Sequence, residues 1–130
     1  MTMTPADLVR FRMERATKTL EEADVLAQAG SWNGCTNRLY YACFYAVSAI
    51  MVHDGESSSK HTGVRGFLNH QYIRTGRLEP DFGKFYNALF DMRLDGDYED
   101  FVVFDEEKVR PLITEARQFV ARVEELLQSP

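Results

Sequence analysis

The chain has 130 residues, of which 45% are hydrophobic and 27% charged, with a net charge of −5 at pH 7. These values are ordinary for one soluble globular domain spanning 1–130, long enough to bury a real core. The negative balance argues against a dedicated DNA-binding protein, and the two cysteines, Cys35 and Cys43, match no zinc or redox spacing.

The N-terminus, Met1-Thr2-Met3-Thr4-Pro5, runs straight into a charged amphipathic pattern. No signal peptide is therefore expected, and a cytoplasmic location with reduced thiols is the plain reading. Thr4 and Pro5 make a good helix start, a hydroxyl N-cap followed by proline in the first turn. Val9, Met13, Ala16, Leu20, Ala23 and Ala27 recur at steps of three and four as the inner stripe of a long first helix. Gly30 is placed to cap its end. Ser31-Trp32-Asn33-Gly34 reads as a short turn, and short turns join antiparallel neighbours.

The next stretch, Cys35 to His53, is predicted as the central helix. From Leu39 to Val52 only Ser48 is clearly polar. A helix apolar on all sides belongs inside a domain. The run is shorter than the ~20 residues of a membrane span, and Arg38 stands at its edge. Tyr40, Tyr41 and Tyr45 need hydroxyl partners there, with Arg38 and Arg93 the first candidates.

Asp54 to Ser59 is a loop by composition. Ser58 or Ser59 can cap a short third helix carrying Val64, Phe67, Leu68 and Tyr72 inward, and Thr75-Gly76-Arg77 breaks the chain again. Pro80 or Asp81 opens a fourth helix whose Phe82, Phe85, Tyr86, Leu89 and Phe90 follow the full amphipathic pattern. Arg93 extends that apolar face, not the wet one. Leu94 to Phe104 reads as an acidic, aromatic connection, and Asp105 caps a last helix with Val109, Leu112, Ile113, Ala116, Val120, Val123 and Leu127 inward. Pro111 allows a kink or a later start there. With no strand pattern and no repeat, the fold class is all-α: an antiparallel up-and-down bundle of four long helices plus one short helix.

Charge is unevenly spread. Ser57 to Leu78 holds no acid but carries Lys60, Arg65, Arg74 and Arg77. Asp91 to Glu107 holds eight acids against Arg93 alone. The first stretch could attract phosphate and the second would repel it. The acids have no EF-hand order, and there is no glycine-rich phosphate loop, so neither a metal nor a cofactor is expected.

The run Asn37-Arg38-Leu39-Tyr40-Tyr41-Ala42-Cys43-Phe44-Tyr45-Ala46 resembles the central-helix signature of HEPN domains. Lys60-His61-Thr62-Gly63-Val64 is similar to the family's next marker. Phe67 through Gly76-Arg77-Leu78, followed by Arg93 with Asp97-Tyr98, is similar to the third. The resemblance runs in order from about Ala6 to Val123. It implies a helical bundle, usually a homodimer; many members are toxins paired with a small nucleotidyltransferase antitoxin, and many are metal-independent RNases. An aromatic content of 12%, with Trp32, Tyr72, Phe101 and Phe104 at element ends, also points to a homodimer.

The RNase branch uses an arginine and a histidine separated by four to six residues. RNA cleavage by its own 2′-OH needs a proton carrier near neutral pH and a cation for the phosphate, tasks that suit histidine and arginine. Arg93 matches the arginine, but the permitted histidine positions hold Tyr98, Glu99 and Asp100, and no histidine follows His70. His61 could substitute if the third and fourth helices pack side by side; otherwise it bonds a nearby carbonyl or tyrosine. The candidate catalytic set is Arg93, Asp97, Tyr98 and His61. Arg38, Lys60 and Arg65 are the cations expected to meet nucleotide or RNA. By resemblance Tyr98 is also the residue an antitoxin would nucleotidylate. Three functions stay open: a binding module partnering a nucleotidyltransferase, nucleotide or RNA with little catalysis of its own; an RNase toxin with an altered motif; and a purely structural homodimer. The missing histidine favours the first over the second.

Overall fold

A computed structural model describes residues 2–99 and 101–128. Helices α1 (Pro5–Gln28), α2 (Trp32–His53), α3 (His61–Phe67), α4 (Pro80–Tyr98) and α5 (Glu106–Gln128) follow in order. A π-helical turn, Leu68–Ile73, continues α3. The described residues contain no strand.

The helix ends follow from local chemistry. The Thr4 hydroxyl accepts from the Asp7 N–H, and the Asp7 carboxylate accepts from the Thr4 N–H, a reciprocal box that satisfies two otherwise unpaired donors. At the other end of α1, Gly30 takes φ +75°, and the N–H groups of Gly30 and Ser31 close back onto the carbonyls of Ala27 and Leu26. The Asp105 carboxylate accepts from the Lys108 N–H at the start of α5. Pro111 does not delay that helix, which already runs from Glu106.

α2 is the axis of the bundle and packs against α1, α4 and α5. Leu39, Tyr40, Ala42, Cys43, Ala46 and Val47 are sealed from solvent. The pairings Arg12–Ser48, Arg15–Tyr45 and Arg38–Glu22 rise along one helix as they fall along the other, so α1 and α2 are antiparallel. The contacts of α4 with α2, from Tyr86 and Phe90 against Tyr40 to Gly96 against Asn33, run the same way. Arg122–Glu79 and Phe119–Phe82 set α5 antiparallel to α4. Among the described residues no helix is long and apolar enough to cross a membrane.

Three boundaries differ from the sequence reading. α2 begins at Trp32 instead of Cys35, because Asn33 is held from outside its own segment. Its carbonyl oxygen accepts from the Phe104 N–H at 2.8 Å, and its amide donates to the Val102 carbonyl at 2.9 Å. The expected turn is thus the first turn of the helix, fastened to the α4–α5 connection. In the second case, α3 starts at His61 with Lys60 as N-cap and no side-chain cap bond; Ser58 instead accepts from the Lys60 N–H within the loop. Third, α4 runs on to Tyr98, so the first part of the expected Leu94–Phe104 connection is helical. The inner stripe of α5 also includes Phe119, fully buried and 5.8 Å from the Tyr86 ring. Val64, Phe67, Leu68 and Tyr72 are buried as expected.

Asn33→Ala removes three long-range bonds, to Gly96, Val102 and Phe104, and leaves the Phe104 N–H without its acceptor. It should lower stability by about 1–3 kcal/mol in denaturant melts, with faster hydrogen exchange at the Phe104 amide.

Candidate functional site

Arg93 sits where the apolar face of α4 meets α2. Its side chain is 5% exposed. The guanidinium lies 4.7 Å from the Tyr40 ring centroid and 5.8 Å from both Tyr41 and Phe90. Stacking on π faces stabilises a desolvated guanidinium. Its nearest carboxylate, Asp97 one turn on, is 3.9 Å away, an ion-pair distance and too long for a hydrogen bond. Arg93 Nε is buried with no hydrogen-bond partner. Asp97 is instead held by the Asn37 amide, which donates to it at 2.9 Å. The Asn37 carbonyl in turn accepts from Nε and one terminal nitrogen of Arg38, at 3.0 and 2.8 Å. Arg38 lies 5.1 Å over the Tyr41 ring.

On the other side of Tyr40 stands His61, the first residue of α3. The Tyr40 hydroxyl and His61 Nδ1 are 2.8 Å apart. The imidazole also packs on Phe44 at 4.7 Å between centroids. Burial, then the nearby positive charge of Arg93, pulls the His61 pKa below its ordinary 6.5, so the ring is neutral at pH 7. Burial pushes the Tyr40 and Tyr86 hydroxyls up, which keeps both protonated. The Tyr86 hydroxyl is sealed in the core without a hydrogen bond.

The structure therefore brings together Arg93, Asp97, Arg38 and His61 around Tyr40 and Tyr41. His61 reaches this cluster by bonding a tyrosine, one of the two placements open from the sequence. Arg65 joins from α3, its guanidinium 4.2 Å from the centroid of the Phe90 ring that Arg93 also approaches. Lys60 is exposed beside His61 at the helix start. Tyr98 points away, 72% exposed at the end of α4. Asp100 lies outside the described residues. Of the two expected hydroxyl partners, Arg93 lies against Tyr40 and draws its phenol pKa down against the effect of burial, while Arg38 stacks on the Tyr41 ring; the 2.8 Å bond to the Tyr40 hydroxyl is made by His61.

Asn37 was quoted in the central signature without a role, and Tyr86 was counted as apolar. A signal for Tyr86 existed, since a buried phenol demands a reason for its oxygen. Among the described residues, no three His, Cys, Asp or Glu side chains converge so as to hold a metal ion.

The site thus lies in an all-α bundle whose central helix presents stacked tyrosines to a buried arginine. The chain belongs to the HEPN domain family, whose profile matches residues 9–126. It is 37% identical over 121 residues to a UPF0332 protein of Thermotoga maritima, covering 93% of this chain and 92% of that protein. It is also similar to two proteins of Methanocaldococcus jannaschii that carry the name "Putative toxin". MJ0142 is 25% identical, with 90% of this chain and 80% of that protein covered. MJ0605 is 26% identical, with 92% and 89% covered.

An NMR titration of the folded protein should place the His61 midpoint below 6.5, and Arg93→Gln should move it up by removing the neighbouring charge. The unfolded chain takes up the His61 proton first. Stability should therefore fall as pH drops below the ordinary value, levelling off once the folded ring itself protonates.

Proposed function

We propose that this protein is a toxin-like HEPN component that binds phosphate of RNA or nucleotide at the Arg93 corner and pairs with a nucleotidyltransferase antitoxin. The observation that carries the reading is the state of Arg93: a guanidinium nine-tenths buried on aromatic faces, Nε unpartnered, its one carboxylate at ion-pair distance only. A structural arginine at such a site normally closes bidentate bonds with its carboxylate. Here Asn37 holds the carboxylate aside and leaves bonding capacity for an incoming oxyanion. Arg65 and Arg38 add charge on the adjoining rings. The names of the two M. jannaschii relatives support the toxin side of the proposal. Tyr98, exposed beyond the corner, is accessible for nucleotidylation by the partner. The working form is a homodimer with the two Arg93 corners facing one cleft; sedimentation should then give about twice the 15.0 kDa chain mass.

A second reading, metal-independent RNA cleavage, is favoured by the neutral His61 beside the same corner. With Nδ1–H donating to Tyr40, Nε2 is a base for the 2′-OH; with the tyrosine donating to Nδ1, Nε2–H is an acid for the leaving oxygen. Arg93 would hold the phosphate as charge develops. Asp97 positions Arg93 and moves no proton.

The decisive variant is Arg93→Lys, which keeps the charge and loses the planar fork. The expected result is some loss of melting temperature, because lysine gives up the stacked fork at a buried site, together with RNA or nucleotide binding by the folded protein weakened about tenfold, in keeping with loss of a bidentate contact. Early melting with unchanged binding by the folded fraction would make the corner purely structural. For the second reading, expression of the chain alone should arrest growth with RNA cleavage, and His61→Gln should abolish both. Binding without cleavage leaves the module and removes the nuclease.

A further inference from the structure

The first half of α1 and the second half of α2 line a groove of about 320 Å³, to which Ser58 and Ser59 of the following loop also contribute. Three rings form its walls: Phe11, 48% exposed, and the half-buried Phe44 and Tyr45. Two guanidiniums supply its charge. Arg12 donates to the Ser48 carbonyl at 3.3 Å, and Arg15 stacks 4.7 Å over Tyr45. Neither has a carboxylate within ion-pair distance among the described residues, and no acid lines this groove. An outer hollow of about 330 Å³ continues from it, sharing Phe11 and Arg15 and adding Lys18 and Glu14. At the inner end the groove shares a wall with the Arg93 corner, since Phe44 also packs on His61 at 4.7 Å.

The two hollows share Phe11 and Arg15, and Phe44 of the first also packs on His61. Their chemistry alternates π faces with cations, the pattern that binds single strands by stacking bases and pairing phosphates. Each hollow is of a size that small ligands fill, so two in series suit a chain longer than one nucleotide. A duplex keeps its bases stacked on one another and cannot offer them to Phe11.

We propose that the α1–α2 groove is an extended subsite for single-stranded RNA, with a base on Phe11 and a backbone phosphate on Arg15, feeding the strand toward the Arg93 corner. The inference rests on the phosphate-binding reading of Arg93 and names its substrate class: unpaired RNA of several nucleotides instead of a mononucleotide.

The test is fluorescence anisotropy with labelled 2′-O-methyl RNA, which cannot cleave itself, comparing a dinucleotide with a strand of about eight nucleotides, within the usual site size for single-strand binders. The longer strand should bind at least about tenfold tighter, the gain expected from one stacked base. Phe11→Ala and Arg15→Gln, both at exposed positions, should each erase most of that gain and leave dinucleotide affinity unchanged. Arg93→Lys should weaken both ligands. If length brings no gain, or the gain survives both groove variants, the groove inference is wrong. The Arg93 reading then stands or falls on the dinucleotide alone. If neither RNA binds the wild-type protein, both are wrong.

Discussion

Everything near the candidate site depends on how the ring of Tyr40 is packed. The ring is fully buried, and α3 and α4 both close on it: His61 on the hydroxyl, Tyr86 and Phe90 on the ring, Arg93 on the π face. A phenol suits this place because it is apolar over most of its surface and polar at one tip. Phenylalanine would keep the packing and the cation–π face but leave His61 Nδ1 without its bond. Leucine would remove the surface on which the guanidinium rests. The apolar character of α2 thus fixes more than the core. It selects which polar groups of other helices can come near, and from what direction.

A guanidinium stays charged under all relevant conditions, so its burial must be balanced by neighbours and not by deprotonation. Around Arg93 the balance is made of rings and a distant carboxylate. Such an arrangement holds the cation but does not saturate it. The Asn37 bridge matters here because it takes the Asp97 carboxylate and ties it to Arg38, which Glu22 also reaches at 3.5 Å. Residues on three helices, α1, α2 and α4, therefore set how much of the Arg93 charge is available.

The helices and their inward faces were legible because periodicity is local. The unbroken apolar run from Leu39 to Val52 identified the axis, and Arg93 stood out as an arginine on an apolar stripe. What was hidden depends on distance along the chain. Nothing near Trp32 tells that Asn33 will bind the main chain of Val102 and Phe104, so the first turn of α2 read as a loop. Tyr40 and His61 are 21 residues apart, and their bond follows only from the way α3 folds back over α2. Phe119 stood beside a stripe already complete without it. The exposure of Tyr98 was equally unreadable, since it depends on where α4 stops.

The charge asymmetry of the sequence becomes a property of the molecule's long axis. The acidic connection is tied to Asn33 at the start of α2, and Arg77 is tied to Asp54 just past its end. The 22 residues between are one helix, about 30 Å at 1.5 Å per residue. The acid-free segment from Ser57 to Leu78, together with Arg12 beside Ser48, gathers toward the second end. The acidic connection and the acid-free segment thus lie at opposite ends of α2. A polyanion is repelled more by the first than by the second, and added salt shortens the range of that difference. The overall charge then governs only how strongly the two molecules repel at long range, and the segregation of charge decides which face is presented when they meet.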